Sequence, residues 1–308
     1  MPSHSTNYNP IINKFYKTTI SNISTIKDIT KSTIIRINDN NITQNTVENV
    51  IKVKRVPIRK SLHIGINYIG TQYELRGCIN DAINISNVIK KPIYGFNNKD
   101  ILIISDNTTI KPTRDNIIKL FTRLMQTSQA GDVLLFSFSG HGLQNDKNSS
   151  NTSLMSSDFK FIKDSQLKQI ITKFLPNGVT LFALIDACHS GTVFNLKYQY
   201  LISLDKTNND IYLDESENET KGQVVMISGS TDNQTSADAP VNSDNTIYEG
   251  AMTWSFLSTL QKIPKPSWYE LITNMRSFLT NSNKGYTQIP QLSAGKPLNM
   301  KNICSITI

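Results

Sequence analysis

Cys188 and His141 each close an apolar run and stand among small residues: TLFALIDACHSG delivers the cysteine and VLLFSFSGHG the histidine. A thiol whose proton an imidazole can take is a strong nucleophile toward a carbonyl, and the same imidazole can return that proton to a leaving amine. Amide hydrolysis also needs donors for the developing oxyanion. Gly142 has no side chain to shield its backbone N–H, and with the N–H of Cys188 it offers such a pair. Asp186 precedes the cysteine by two residues and Ser139 precedes the histidine by two, so on extended strands each shares a face with its partner. Cys78 and Asp81, three apart in a helical segment, also share a face. His189 points to the other side of the chain from Cys188 and reads as a supporting residue. His63 lies inside an apolar strand and reads as a core histidine, and His4 lies far from both runs.

The elements that must position these residues are legible from periodicity. Contiguous Val, Leu, Phe and Ala bounded by Gly suit a strand buried on both faces, and such strands deliver their last residues to the carboxyl edge of a parallel sheet, where ligands bind. SLHIGI (61–66), ILIIS (101–105), VLLFSF, TLFALID and QVVMIS (223–228) read as five such strands. Between them lie helical segments at 77–90, at 113–126 with Thr113 as N-cap, and near 165–174. Helices at 251–262 and 267–279 follow, and NICSITI (302–308) reads as a strand that closes the sheet. Strand and helix alternating at this spacing imply an α/β fold with a mainly parallel central sheet flanked by helices.

The order His then Cys, with the blocks KSLHIGINYIGTQYELRGCINDAINISNVI (60–89), GDVLLFSFSGHG (131–142), IDACHSGTVF (185–194) and MISGSTDNQTSADA (226–239), resembles the metacaspases among the caspase-like cysteine peptidases. The resemblance runs from about Lys60 to the C-terminus. It implies a caspase-like three-layer sandwich, with His141 and Cys188 as the catalytic dyad and the N–H groups of Gly142 and Cys188 as oxyanion hole. It also implies that Cys78, Asp81, Ser139 and Asp186 form the primary specificity pocket, S1. Two carboxylates there favour Arg or Lys in the substrate. The plainer reading of the same carboxylates is that Asp81 caps local backbone and Asp186 bonds loop amides. The organisation implied is a basic polar arm or prodomain over 1–56, a large unit over 57–204, an acidic linker over 205–222 and a small unit over 223–308.

Calcium-dependent metacaspases carry an acidic insertion after the SGHG block, an Asp-Asp pair, and an Asp seven residues past the nucleophile. Here the insertion is the short LQNDKNSSNTSLMSSDF (143–159), alignment puts Asn151 and Thr152 at the pair, and Asn195 stands at the downstream position. A neutral amide oxygen offers Ca²⁺ no charge, and Asp146 and Asp158 do not restore the set. The expectation is an enzyme without a cofactor and independent of calcium.

Composition narrows the class further. No run of about 18 apolar residues occurs and the first 30 residues lack a hydrophobic signal segment, so a membrane span is not expected and the reading is an intracellular, cytoplasmic protein. Three cysteines cannot all pair and none lies in a CxxC arrangement, which speaks against a disulfide framework or a zinc site. Residues 1–60 hold ten Lys/Arg against three Asp/Glu, nearly the whole net charge of +8. That arm lacks the aromatic interleaving of a nucleic-acid binder and reads instead as an exposed segment with cleavable basic bonds. Together these features predict a monomeric cysteine endopeptidase acting on protein substrates after Arg or Lys. It would process itself from a zymogen in the stretch 54–60, or at Lys206 or Lys221. The alternatives are an Asp-specific caspase, and a catalytically silent caspase-like interaction module.

Overall fold

Five parallel strands cross the centre of the protein, and their side chains alternate between two helical layers. The computed structural model describes residues 55–308 except 145–151, 189–192, 203–208, 230–237, 241–247, 283–285, 287 and 308. The central strands are β1 (Arg59–Gly65), β2 (Ile101–Ser105), β3 (Val133–Ser139), β7 (Thr180–Asp186) and β10 (Gln223–Ser228), paired in the order β2-β1-β3-β7-β10. Three antiparallel strands, β13 (Gln291–Ala294), β8 (Tyr198–Ile202) and β9 (Asn209–Leu213), extend the sheet beyond β10. The chain divides into 1–56 and Pro57–Ile308, and all that follows concerns the second unit.

One face of the sheet carries Leu62, Ile64, Leu134, Phe136, Phe138, Leu181, Ala183 and Ile185. It packs on α2 (Arg114–Gln126) and α3 (Asp164–Phe174) through Ile117, Phe121, Leu167 and Ile171. The opposite face carries Leu135, Phe182, Leu184, Val225 and Ile227, covered by α1 (Cys78–Ile89), α4 (Ala251–Lys262) and α5 (Trp268–Thr280). The result is helix, sheet, helix. The rings of Phe121, Phe136 and Phe194 pack together in the first layer with centroids 4.6–6.3 Å apart. Each such buried side chain contributes about 1.5–3 kcal/mol relative to exposure. Thr113 caps α2 by accepting the N–H of Asn116, and Ser267 with Glu270 makes a reciprocal capping box on α5.

Two expectations fail. NICSITI does not close the sheet: Ile303 makes a single bridge to Ser267 while Cys304 and Ile306 turn into the second core. The Arg59 guanidinium donates to the carbonyls of Ser305, Ile306 and Thr307, so this segment is satisfied by a side chain rather than by a ladder. The acidic stretch 205–222, expected as an exposed linker, contains β9, which pairs with β8 while Ile211, Tyr212 and Leu213 stay exposed. His63 is, as read, a core residue: its Nδ1 lies 2.8 Å from Ser137 Oγ, and burial, with Lys90 nearby, lowers its pKa to about 3.

Candidate active site

Strand register brings His141 and Cys188 to the same edge of the sheet. Ser139 and Asp186 are direct partners across β3 and β7, and the N–H of Gly140 bonds the carbonyl of Asp186 at 3.2 Å. His141 and Cys188, each two residues further on, therefore emerge side by side at the carboxyl edge of adjacent parallel strands. Cys188 is half-buried, and no disulfide involves any of the three cysteines. The other two are buried, and burial pushes the Cys304 thiol up to about 12, which leaves it inert.

Gly142 opens β4 (Gly142–Gln144), which pairs with β5 (Thr152–Met155) and through it with β6 (Phe161–Lys163). The N–H of Met155 bonds the carbonyl of His141, which makes 141/155 a hydrogen-bonded position of this antiparallel ladder and 142/154 the alternate one. The Gly142 N–H is thus directed away from β5. A Cβ at Gly142 would collide with the Cys188 carbonyl, so only glycine allows this approach.

The imidazole is held in one orientation. His141 Nε2 lies 2.8 Å from the carbonyl of Tyr73. A carbonyl only accepts, so Nε2 carries the hydrogen and Nδ1 is the nitrogen left to take a proton. Behind the ring, Tyr68 accepts the His141 backbone N–H at 3.0 Å, donates to the Met155 carbonyl at 2.7 Å, and lays its ring 4.9 Å from the imidazole. Tyr68 does this with φ of +50°, costly for a bulky residue, and Asp106 fixes that turn by accepting the N–H groups of Asn67 and Tyr68. Neither tyrosine was singled out in the sequence. Both sit in the NYIGTQYELRG stretch, and nothing in residue type marks them.

Cys78, Asp81, Ser139 and Asp186 gather on the α1 and α4 side of the sheet. Asp81 is 1% exposed and Asp186 5%. Each carboxylate spends one oxygen on the first turn of α4: Asp81 Oδ1 accepts the N–H of Gly250 and Asp186 Oδ2 that of Thr253, both at 2.9 Å. These bonds are not the local cap and loop-amide contacts of the plainer reading, since Gly250 lies 169 residues from Asp81 and Thr253 belongs to α4, but a helix N-terminus does favour negative charge. Among the described residues, Asp81 Oδ2 is left buried without a hydrogen-bond partner. Burial first, and the neighbouring Asp186 second, raise the pKa of Asp81, while Ser139 and the Gly250 N–H act the other way. Gly250 ends β12 (Tyr248–Gly250), which pairs with β11 (Asp238–Pro240). A Cβ at Gly250 would collide with Asp186 Oδ2 and reach Asp81 Oδ2, so glycine forms the wall over the acidic pair. Glu249 and Tyr286, not foreseen from sequence, add a carboxylate and a hydroxyl. The Tyr286 hydroxyl has no partner among the described residues, and burial, then Asp186 and Glu249, raise its pKa.

The described residues at the expected calcium positions do not fit the ion. The Thr152 N–H and the Asn195 side-chain amide both donate to Asp164 Oδ2 at 3.3 Å, while the Lys168 ammonium bonds the Asn195 carbonyl and pairs with Glu217 at 2.8 Å. A cationic side chain already occupies this neighbourhood. Asp158 is committed elsewhere, accepting from Ser156 Oγ at 2.6 Å and from the Arg114 N–H at 2.8 Å. Partial burial would raise its pKa, but these bonds and Lys160 bring it down to about 2. Asn151, Asp146 and His189 lie outside the described residues. Among the described residues no group of three or more His, Cys, Asp or Glu gathers as a metal site, and no helix is long and apolar enough to cross a membrane.

Residues 59–197 match the family model of the metacaspase, peptidase C14 domain. Metacaspase-1 of Kluyveromyces lactis is 34% identical over 296 residues, covering 78% of this chain and 67% of that protein. Metacaspase-1 of Saccharomyces cerevisiae is 35% identical over 298 residues, 79% of this chain and 67% of its own length. Metacaspase-1 of Meyerozyma guilliermondii is 31% identical over 79% of this chain and 70% of its own length. A solved structure from Geobacter sulfurreducens superimposes with a TM-score of 0.58 at 19% identity, covering 82% of this chain and all of that one, which shows a shared fold. Parallel strands that lead into His141-Gly142 and Ala187-Cys188, matched over this length to such relatives, place the chain in the metacaspase family of cysteine peptidases.

Proposed function

We propose that the protein is an endopeptidase that cleaves after Arg or Lys with Cys188 as nucleophile and His141 as proton carrier, working as a monomer without calcium. His141 Nδ1 takes the thiol proton, and the thiolate attacks the scissile carbonyl. The oxyanion is met by the N–H groups of Gly142 and Cys188. Collapse of the tetrahedral intermediate breaks the C–N bond as the imidazolium protonates the leaving amine, and water, deprotonated by the same imidazole, then hydrolyses the thioester.

The observation that carries the specificity is the orphaned, buried Asp81 Oδ2 beside Asp186, on the face of the sheet that ends two residues later in the nucleophile. A guanidinium or ammonium there satisfies that oxygen and relieves the repulsion between the carboxylates. An Asp side chain would add a third buried charge, which argues against caspase specificity. The positioned imidazole and the glycine opposite Cys188 argue against a silent module, which needs neither. Self-processing is part of the reading, with its sites narrowed by the fold. Arg59 and Lys60 lie inside β1, and the Lys60 ammonium bonds the Thr127 carbonyl. Lys221 is flanked by Thr220 N–H bonded to Gly295 and Gln223 N–H bonded to Val179. The test is turnover of fluorogenic peptides ending in Arg, Lys or Asp, with and without Ca²⁺. Arg and Lys turnover unaffected by the metal supports the proposal, whereas turnover of Asp peptides alone, or none at all, refutes it.

A further inference from the structure

Two tyrosine rings contact the imidazole, and a third aromatic ring packs on them, on a surface that the mechanism above does not use. Tyr73 meets His141 edge-on at 6.1 Å, and Phe159 lies 5.9 Å from Tyr73 and 6.3 Å from Tyr68. Tyr68 is buried, but Tyr73 is 45% and Phe159 44% exposed. Ile69 and Leu143, chain neighbours of Tyr68 and Gly142, are exposed as well.

Phe159 is held there against its own preference. Its φ is +57°, a left-handed conformation unfavourable for a bulky residue. The turn around it is fully braced: Ser156 N–H bonds the Lys160 carbonyl, Phe159 N–H bonds the Ser156 carbonyl, and Asp158 ties the Ser156 hydroxyl to the first N–H of α2. The ring contributes to neither core cluster. A strained backbone that fixes a half-exposed aromatic against the two tyrosines that flank the imidazole is the arrangement expected of a binding surface.

The occupant follows from the chemistry of the leaving group. His141 protonates the departing amine, so the residue carrying that amine must sit against the surface next to His141. That surface is aromatic, and the charged neighbours of Phe159, Asp158 and Lys160, pair with each other at 3.1 Å. We propose that Tyr73 and Phe159 form the subsite for the residue immediately after the scissile bond and select a large apolar or aromatic side chain there. This rests on the endopeptidase reading above and adds the second half of its specificity.

The test is binding to the intact Cys188→Ala protein, measured by calorimetry, so that it does not depend on turnover. The peptides share one sequence in which Arg is followed by Phe, Leu or Ser, with a fourth carrying Asp in place of Arg. Burying a Phe or Leu side chain against the rings predicts about tenfold tighter binding of the Arg-Phe and Arg-Leu peptides than of Arg-Ser. In Cys188→Ala/Phe159→Ala, and in Cys188→Ala/Phe159→Gly, which suits the positive φ, that ratio falls to near one. Equal affinity for Phe and Ser, or a preference that survives both double variants, overturns the inference. Failure of the Arg reading is separate: equal binding of the Arg and Asp peptides, with the Phe preference intact, removes the acidic pocket and leaves the aromatic subsite standing.

Discussion

Replacing Asp81 by Asn should stabilise the folded protein while it damages the enzyme. The two carboxylates approach across the space a Cβ on Gly250 would fill, hence within about 5 Å of one another. Two charges at that separation repel by about 3 kcal/mol at an effective dielectric of about 20. The wild type relieves part of this by keeping a proton on Asp81, the direction its raised pKa shows, so the gain from Asn is smaller, about 1–2 kcal/mol at neutral pH. Asn keeps an oxygen for the Gly250 N–H and puts an NH₂ donor where the orphaned Oδ2 stands. For a unit of about 250 residues this is a rise in Tm of about 3–6 °C.

The pH dependence checks the cause. A carboxyl whose folded pKa lies above its unfolded value contributes stability that is present at acid pH and lost as pH rises through the folded pKa. Wild type and Asp81→Asn should therefore converge near pH 4 and separate toward pH 7. Over the same substitution, kcat/KM for Arg peptides falls about 10- to 100-fold with the loss of a charged hydrogen bond to guanidinium. Thermal melts from pH 4 to 8, with kinetics on the same preparations, decide it. A variant that is less stable at pH 7, or as active as wild type, would refute the acidic-pocket reasoning.

Other expectations are as specific. Tyr68→Phe leaves the His141 N–H and the Met155 carbonyl without their shared partner, so stability should drop by about 1–3 kcal/mol and kcat should fall more than KM changes; unchanged denaturant melts and kcat contradict this. Self-processing, followed by mass spectrometry against a Cys188→Ala control, should give new termini after Lys54, Arg55 or Lys206, and none after Arg59, Lys60 or Lys221. Cuts at the last three would show that β1 or the 220–223 segment opens readily. Calcium at millimolar concentration should leave Arg-peptide turnover flat, and strong activation would mean that residues 145–151 supply ligands that Thr152 and Asn195 do not.

Much of the site was legible because its logic is strand-borne. Period and apolar runs placed β3 and β7, and the positions of Ser139, His141, Asp186 and Cys188 follow from two-residue repeats along them. Cys78 and Asp81 followed from a single helix face. What escaped the sequence depends on tertiary approach. Tyr73 acts through a backbone carbonyl, and Tyr68 through a hydroxyl carried by a strained turn that Asp106 fixes from another loop. Gly250 matters for the side chain it lacks. The strand β9 was hidden because its exposed, acidic sequence resembles a linker, and its pairing with β8 is set by the partner rather than by its own pattern. NICSITI had strand-like composition, yet Arg59 captured its carbonyls.

The central claim is that Cys188, activated by His141, works beside a pocket built for a cation. The most direct measurement is the site and rate of alkylation by a peptidyl-arginine chloromethyl ketone, set against its aspartate analogue and read by intact mass and peptide mapping. The account predicts a single adduct on Cys188, slowed in His141→Ala and in Asp81→Asn, with the aspartate reagent far slower. An adduct on Cys78 or Cys304, or equal rates for the two reagents, would contradict it.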